Sequence, residues 1–383
     1  MKLKFPAISS YAEVGSKGAW TGNALLLRGF CHLLSKRKRG KFLMKKKLGL
    51  LTSLVVAASV LVTACGGGTS TGTGSTSGGA SGEKAKRIAL IMRQNVGTFS
   101  AQYINGVKTE VEKNGGELTV FNADTDLAKM ASNLDAAVNQ KFDGILIDHG
   151  TAEALQQGTQ KAVDKKIPVV LFDTDINIPG VPVVAQDDNK LAELSLEKLG
   201  ADTNGKGSIV KIWVAGFAPM EKRQVTYEAF QKKYPDIKEI AAFGSATNNT
   251  ALDTQTQMEA ILKKYPNKGD ITAVWAAWDE FAKGATRAIQ QAGRTEIKVY
   301  SIDLSDEDLQ MIQTENSPWA ATAAVDPSNI GRIHAQTVFQ KIKGEQVPDN
   351  VKLNPVLVKQ EDLPKDKKVT MGDLSQYVQE WGK

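Results

Sequence analysis

The feature that most constrains the fold is an alternation, from Arg87 onward, of short runs rich in Ile and Val with longer amphipathic stretches. Short apolar runs separated by helical stretches are typical of parallel strands joined by crossover helices. Two such series follow each other, so we predict an α/β fold with two Rossmann-like lobes, each built on a parallel sheet. The predicted strands are residues 87–92, 118–122, 144–148 and 168–172 in the first lobe, and 208–213, 239–243, 273–276, 298–302 and 320–325 in the second.

Predicted helices separate these strands, and several of them have recognisable starts. The first three begin near Phe99, Asp126 and Thr151, and residues 305–308, Ser-Asp-Glu-Asp, form a capping-box pattern. Asp326 precedes a proline, which the first turn of a helix tolerates. These signals place the helix starts directly after the strand ends.

Four aspartates, Asp148, Asp173, Asp279 and Asp303, stand at or just beyond the carboxyl ends of predicted strands. Open α/β sheets bind their ligands at this edge, so we predict a binding cleft between the two lobes. Each aspartate could equally be a helix cap, because Asp is a common residue at that position.

Two tryptophans bracket the end of the strand at 273–276. The two-residue period of a strand puts Trp275 on one face with Ala277, and we expect Trp275 to pack in the core. Trp278 should project from the strand end beside Asp279. An indole next to a carboxylate suits a sugar, because the ring stacks on C–H faces and the acid accepts hydrogen bonds from hydroxyls.

A leader sequence precedes the α/β body. Three lysines at 45–47 are followed by an apolar run, 48–62, which is too short for a stable membrane span and is typical of a signal peptide. Residues 62–65, Val-Thr-Ala-Cys, resemble the lipobox of bacterial lipoproteins, in which the cysteine receives diacylglycerol before cleavage. We therefore predict a signal peptide at 44–64, lipidation of Cys65, and attachment to the outer face of the cytoplasmic membrane or within the periplasm. Residues 1–43 fit no part of this plan, which suggests a misassigned start codon.

The segment after Cys65 is almost wholly Gly, Ser and Thr, and we predict that residues 65–84 form a flexible tether. The chain has 48 Lys/Arg and 42 Asp/Glu, but 12 of the basic residues and one of the acids precede Cys65. The mature chain is therefore mildly acidic, which argues against nucleic-acid binding. A disulfide framework is excluded, because Cys31 and Cys65 are the only cysteines in the sequence.

The sequence offers little support for catalysis, a cofactor or a metal. Residues 200–207, Gly-Ala-Asp-Thr-Asn-Gly-Lys-Gly, lack the Ser or Thr of a phosphate-binding loop and precede a strand instead of following one. The mature chain has two histidines, His149, which could line the cleft, and His334, which we expect to be a packing residue. From Arg87 onward the chain has no Gly-x-Ser-x-Gly motif and no metal-ligand spacing, so we predict a binding protein without a cofactor or metal.

The body resembles the sugar-binding, ribose-like branch of the type I periplasmic binding proteins, which serve ABC importers. The segments that carry the resemblance are residues 88–92, 143–148, 167–173, 185–189, 273–280, 299–303 and 320–326. The resemblance implies a ligand held between the lobes and a three-strand hinge near 186–188, 325–327 and 354. The first lobe would then be 85–187 plus 326–354, and the second 188–325 plus 355–369.

The resemblance also implies roles for individual residues. Phe99 occupies a stacking position, Asp148 replaces a frequent asparagine, Asp173 is the sugar-hydroxyl carboxylate, and Asp303 is its counterpart in the second lobe. Trp278 falls where the family often has asparagine, which argues against ribose itself as the ligand.

Three further residues are candidates for the site. Arg93 takes a position that is usually small and polar, and its donors could reach into the cleft, although a surface ion pair is the alternative. Arg223 lies one turn before the arginine that the family uses. Asn249 aligns with an aromatic wall residue, which suggests that the stacking surface has moved toward Trp278.

The C-terminal tail, residues 370–383, spaces Leu374, Tyr377, Val378 and Trp381 as one apolar helical face. We predict a helix that packs on a lobe, with partner docking as the alternative.

The leading hypothesis is a monomeric solute-binding protein that captures a sugar or polyol and delivers it to the permease of an ABC importer. An anchored carbohydrate-active enzyme is one alternative, because paired carboxylates could serve as acid and base. A receptor that reports the sugar to a sensor kinase is another.

Overall fold

The computed structural model describes residues 84–382, so the predicted leader, Cys65 and the tether up to residue 83 lie outside the described residues. The elements of the described chain are, in order, β1 (Lys86–Met92), α1 (Gly97–Lys113), β2 (Gly116–Asn122), α2 (Leu127–Asn139), β3 (Gly144–Asp148), α3 (Ala152–Asp164), β4 (Val169–Phe172), β5 (Val183–Gln186), α4 (Asp188–Asp202), β6 (Lys206–Ile212), α5 (Ala218–Lys233), β7 (Asp236–Phe243), α6 (Thr250–Lys264), β8 (Ala273–Ala276), α7 (Asp279–Gln291), β9 (Lys298–Ile302), α8 (Asp306–Gln313), β10 (Trp319–Ala324), α9 (Pro327–Ile342), β11 (Asn350–Leu353) and β12 (Val356–Lys359).

Two six-stranded sheets form the two lobes. The strand order is β11-β5-β4-β3-β1-β2 in the first sheet and β12-β10-β9-β8-β6-β7 in the second. Neighbouring strands are parallel, with β10 and β12 as the antiparallel pair among the described strands. The predicted α/β fold with two parallel-sheet lobes is confirmed.

Helices cover both faces of each sheet, as the near-continuous apolar strands require. In β1, Ile88 and Leu90 pack in one cluster with residues of α1 and α9, whereas Ala89 and Ile91 pack in another with residues of α2 and α3. The alternation follows from the two-residue period of a strand. The second lobe has one large core cluster, which includes Trp275.

The chain passes between the sheets three times: from β5 to α4, from β10 to α9, and from β11 to β12. After the second passage, α9 packs closely against α1 of the first lobe. Glycine is required at this contact, because a Cβ at Gly331 would lie 2.1 Å from the carbonyl oxygen of Tyr103. The strands β5, β11 and β12 were not among the predicted strands.

Side-chain caps define several helix starts. Asp126, Thr151 and Asp326 accept hydrogen bonds from backbone N–H groups at the starts of α2, α3 and α9, and Ser305 accepts one from the N–H of Asp308 at the start of α8. These caps satisfy donors that a helix start leaves unpaired. Each cap therefore sets the residue at which the loop after a strand ends and the helix begins.

The tail is not the helix predicted for 370–383. It contains a 3-10 helix, Leu374–Gln376, within a run of turns whose hydrogen bonds mostly span three residues. From these turns, Met371, Leu374, Val378 and Trp381 all reach the core of the second lobe. Asp306 accepts a hydrogen bond from the Met371 N–H, 2.7 Å away, and so ties the tail to α8. Within residues 84–382, no helix has the length and apolar character needed to cross a membrane.

Candidate ligand-binding site

A pocket lies between the two lobes and contains ≈ 640 Å³ of space free of protein atoms, part of it open to solvent. Both lobes contribute to its lining, the first through Met92, Gln94, Phe99, Ser100, Tyr103, Asp148, His149, Phe172 and Gln186, and the second through Val214, Phe217, Pro219, Met220, Arg223, Trp278 and Asp303.

Most of these residues lie at carboxyl ends of strands, where the sequence predicted the cleft. The residues that directly follow β3, β4 and β9 all have positive φ angles: His149 (57°), Asp173 (46°) and Asp303 (72°). Asp and His adopt this left-handed conformation more readily than most residues, although it remains uncommon. The turn it produces ends each strand at the edge of the sheet that faces the other lobe.

His149 and Asp148 form a contact pair on the wall supplied by the first lobe, with His149 Nδ1 against Asp148 Oδ1. Burial alone would lower the pKa of His149, but the Asp148 carboxylate outweighs it and raises the pKa to about 8. Near neutral pH, the imidazole is therefore a cation with two N–H donors. The sequence indicates only that His149 could line the cleft, and the structure places it there.

Asp173 lies behind this wall and is not a lining residue. Its two carboxylate oxygens accept hydrogen bonds from the backbone N–H of Gln186, at 3.1 Å, and from the Gln186 side chain, at 3.3 Å. Burial and the neighbouring Asp188 raise the pKa of Asp173 to about 7, against the opposing effect of His149 and Arg223. Asp173, predicted as a direct sugar contact, therefore does not line the pocket, whereas Gln186, to which it is bonded, does.

Arg223 forms the centre of the wall supplied by the second lobe. Its guanidinium donates to Asp188 at 3.0 Å, to the carbonyl oxygen of Ala277 at 2.7 Å, and to Asp303 at 3.2 and 3.5 Å. Burial would lower the pKa of Arg223, but Asp303 and Asp188 raise it above its ordinary value. The rigid fork of donors therefore fixes Asp303 at the pocket surface.

Aromatic rings form the sides of the pocket. Phe99 comes from α1, Trp278 from the residue that precedes α7, and Phe217 from the residue that precedes α5. Trp278 packs edge-on against Phe281, with ring centroids 5.4 Å apart, so its indole plane is held in place. Trp275 is instead fully buried and donates a hydrogen bond to Ser195 at 3.0 Å.

Two predicted site residues lie elsewhere. Asn249 is exposed at the start of α6 and does not line the pocket. Asp279 is fully buried and is the first residue of α7, where its carboxylate lies 3.7 Å from Lys283, one helical turn along. The expectation that a residue just beyond a strand end faces the cleft fails for Asp279. Trp278 occupies the loop before α7, and Asp279 already belongs to the helix, so the helix sets the direction of its side chain.

Arg93 reaches the other lobe rather than the pocket. Its Nη1 donates to the carbonyl oxygen of Gly216 at 2.6 Å, and its guanidinium lies 3.5 Å from the centroid of the Phe217 ring. Neither the predicted sugar contact nor the alternative, a surface ion pair, describes this arrangement.

Sequence reasoning did not identify Gln94, Gln186, Phe217 or Met220 as pocket residues. Gln186 ends β5, a strand that was not predicted. Gln94 and Phe217 lie in loops whose course depends on the tertiary fold, and Met220 lies in the first turn of α5. The side-chain oxygens of Gln94 and Gln186 are buried and accept no hydrogen bond from the described residues. A buried acceptor without a partner is costly, so both oxygens are available to donors on a ligand. In residues 84–382, no group of three or more His, Cys, Asp or Glu side chains is arranged to hold a metal ion.

The geometry defines a two-lobed binding protein with a ligand pocket between its lobes. Residues 88–346 match the family model of the periplasmic binding protein domain, and the chain belongs to this family. A sugar ABC transporter structure from Yersinia enterocolitica is 37% identical, with a TM-score of 0.76, and the match covers 79% of this chain and 91% of that one. The structure of a 5-methylthioribose transporter solute binding protein from Thermotoga lettingae, in complex with 5-methylthioribose, is also 37% identical, with a TM-score of 0.73 and coverage of 76% and 91%.

A ribose import binding protein of Salmonella typhimurium is 26% identical over 261 residues, which are 68% of this chain and 86% of that protein. The predicted family, type I periplasmic binding proteins of the ribose-like branch, is confirmed. The protein is a sugar-binding solute-binding protein of an ABC transporter that works outside the cytoplasm, and it is not an enzyme.

Proposed function

We propose that this protein captures one uncharged pentose-type sugar or polyol bearing an apolar substituent, and delivers it as a monomer to the permease of an ABC importer. The observation that carries this proposal is the composition of the pocket lining, which combines polar side chains from both lobes with apolar ones, four of them from residues 214–220 of the second lobe.

The polar part provides both kinds of hydrogen-bonding group that sugar hydroxyls need. Asp148, Asp303 and the two amide oxygens of Gln94 and Gln186 are acceptors, whereas Arg223 and protonated His149 are donors. Because each hydroxyl that leaves water needs a replacement partner, such a mixed lining favours a ligand with several hydroxyls.

The charges in and behind this part favour an uncharged ligand. Four acidic side chains, Asp148, Asp173, Asp188 and Asp303, lie close to two basic ones, His149 and Arg223. The cations are already engaged by these carboxylates. A phosphorylated sugar would bring further negative charge into a site that has no free cation to receive it.

The apolar part consists mainly of Val214, Phe217, Pro219 and Met220. A hydroxyl placed against these side chains would lose its hydrogen bonds to water, whereas a methyl or thioether group would gain burial. Such a substituent adds about 1–2 kcal/mol to binding, or roughly tenfold in affinity. The 5-methylthioribose bound to the Thermotoga lettingae protein has this chemical form, which supports the proposal.

Calorimetric titration of the purified protein tests this assignment. The panel is 5-methylthioribose, D-ribose, xylitol and ribose 5-phosphate. We expect 5-methylthioribose to bind roughly tenfold more tightly than ribose, and the phosphate ester to produce no binding heat. A folded protein that gives no signal with any member of the panel would contradict the proposed ligand class, and tighter binding of ribose would contradict the role of the apolar part.

We also propose that Cys65 carries the lipid anchor and that residues 65–84 tether the body to the membrane. The order of lysines, apolar run and small residues before Cys65 supports this assignment. In cells that express the chain, the Cys65→Ala variant should move from the membrane fraction to the soluble fraction or retain its leader. Mass spectrometry of the wild-type N-terminal peptide should show diacylglycerol on Cys65, and an unmodified cysteine there would contradict the anchor.

A further inference from the structure

We propose that residues 93–102, between the end of β1 and the second turn of α1, form a clasp that holds the lobes closed. In this clasp, Arg93, Thr98 and Gln102 act as positioning residues that set ligand affinity without touching the ligand. The inference rests on the proposed function, because the affinity concerned is that for the sugar. It adds to the pocket residues a set of first-lobe residues whose hydrogen-bond and ring partners lie in the second lobe.

Arg93 is the first arm of the clasp. Its side chain is largely buried, with its guanidinium on the Phe217 ring and Nη1 bonded to the Gly216 carbonyl oxygen. Its Nε is buried and has no hydrogen-bond partner among the described residues. An arginine removed from water in this way is stabilised chiefly by the partners it meets on the second lobe, so its contacts favour the closed arrangement.

Thr98 and Gln102 form the second arm. Thr98 donates to Glu307 at 3.0 Å, while Gln102 donates to the Asp306 carboxylate at 2.7 Å and accepts from the Asp306 N–H at 3.1 Å. Glu307 is itself held by Lys283 and Arg287, each at 3.0 Å. The second lobe therefore presents groups that are already fixed.

The two arms flank residues that line the ligand pocket. Gln94, Phe99 and Ser100 lie between Arg93 and Gln102 in the sequence and face the pocket, and Phe217 both lines the pocket and supports Arg93. Residues 93–102 therefore line the ligand pocket and also contact the second lobe. Because apparent affinity scales with the fraction of protein in the binding-competent state, loosening either arm weakens binding.

Gly97 lies inside the clasp and offers a steric test. A Cβ at Gly97 would lie 2.0 Å from Glu280 Oε1 on the second lobe, and Glu280 is bonded to Lys283 at 2.7 Å. Gly115 has almost the same φ, +70° against +72°, but no other atom of the described chain lies within 4 Å of its Cβ position. Gly115→Ala therefore carries the same backbone strain as Gly97→Ala without the clash between lobes.

The main experiment compares Arg93→Met with Arg87→Met. Arg87 is a matched control within the first lobe, because it donates to the carbonyl oxygen of Gln140 at 3.1 Å and lies 4.2 Å from the Phe142 ring centroid. With 5-methylthioribose as the probe, we expect Arg93→Met to weaken binding roughly tenfold to a hundredfold. Stopped-flow tryptophan fluorescence should assign most of this loss to faster dissociation. Arg87→Met should leave both rates within twofold of wild type.

Gly97→Ala should likewise bind 5-methylthioribose about tenfold more weakly than Gly115→Ala, because its added methyl group obstructs closure of the lobes. Equal affinities of Arg93→Met and Arg87→Met, or of the two alanine variants, would overturn the clasp. If the wild type binds no sugar in the panel, the proposed ligand class is wrong, and X-ray scattering without ligand then decides the clasp alone. A larger radius of gyration for Arg93→Met than for both the wild type and Arg87→Met supports it, and equal radii contradict it.

Discussion

Arg223 and Lys283 are both buried cations of the second lobe, and carboxylates surround each of them. Arg223 binds Asp188 and Asp303, and its group forms a wall of the ligand pocket. Lys283 lies within 4.0 Å of carboxylates on four acids, Asp279, Glu280, Glu307 and Asp308, and none of these four lines the pocket. One charged cluster therefore lines the pocket, whereas the other joins α7 to α8 and supports the second arm of the clasp.

The local backbone accounts for the difference between Asp303 and Asp279. Asp303 follows β9 in the left-handed conformation, and its carboxylate faces the cleft beside Arg223. Asp279 is already the first residue of α7, so its side chain meets Lys283 at the next turn and Asp308 nearby. Two aspartates that look equivalent in sequence therefore have different tasks.

The largest effect should come from Lys283→Met. Removal of the cation leaves its buried carboxylates without their common partner, which should lower the free energy of unfolding by about 3–5 kcal/mol. Urea denaturation of the ligand-free protein measures this loss. Lys233→Met removes a lysine from an exposed pair with Glu197 and should leave the free energy of unfolding almost unchanged. Similar losses for the two variants would show that the Lys283 cluster is not a structural centre.

Asp303→Asn and Asp279→Asn make the same change in the two clusters. Asp303→Asn removes the charge that faces the pocket and should weaken binding of 5-methylthioribose roughly tenfold to a hundredfold. Burial and Asp308 raise the pKa of Asp279 well above its ordinary value, and its side chain does not line the pocket. Asp279→Asn should leave the affinity within twofold of wild type, and an equal loss in both variants would erase the distinction between the clusters.

A smaller effect should appear in the pH dependence of stability. The pKa of His149 is raised from 6.5 to about 8, so its contribution to stability is complete below pH 6.5 and is lost as the pH rises through 8. This rise corresponds to about 2 kcal/mol. The raised pKa of Asp173, about 7, acts in the same direction.

Denaturation of the ligand-free protein at pH 6.5 and pH 9 measures this dependence. The control is His149→Asn, because asparagine tolerates the positive φ angle at this position. Stability of the wild type should fall more between the two pH values than stability of His149→Asn. Parallel pH curves for the two proteins would exclude a stabilising charge on His149.

The sequence predicted much of this arrangement, because strand-end position and apolar periodicity are local properties. They indicated the two sheets, the cleft, and the placement of Asp148, Asp303 and Trp278 at the pocket. They could not distinguish Asp279, whose task depends on where a helix begins. Arg93 was beyond local reasoning too, since its partners Gly216 and Phe217 lie more than a hundred residues away in the chain.

Gln186 and Asp173 show a further limit of the sequence. The predicted sugar carboxylate, Asp173, is covered by a side chain from β5, and only the pairing of β5 with β4 brings that side chain into position. Contacts between strands that are separated by a loop of irregular structure cannot be derived from periodicity alone.

The central claim is that the pocket binds an uncharged sugar with its hydroxyls on the Arg223 and Asp303 side and its apolar substituent on the Phe217 and Met220 side. A crystal structure of the protein with 5-methylthioribose tests this most directly. The account predicts hydroxyls within hydrogen-bonding distance of Arg223 or Asp303 and the methylthio group in contact with Phe217 and Met220. A sugar bound outside this pocket, or a methylthio group placed against Asp148 and His149, would contradict it.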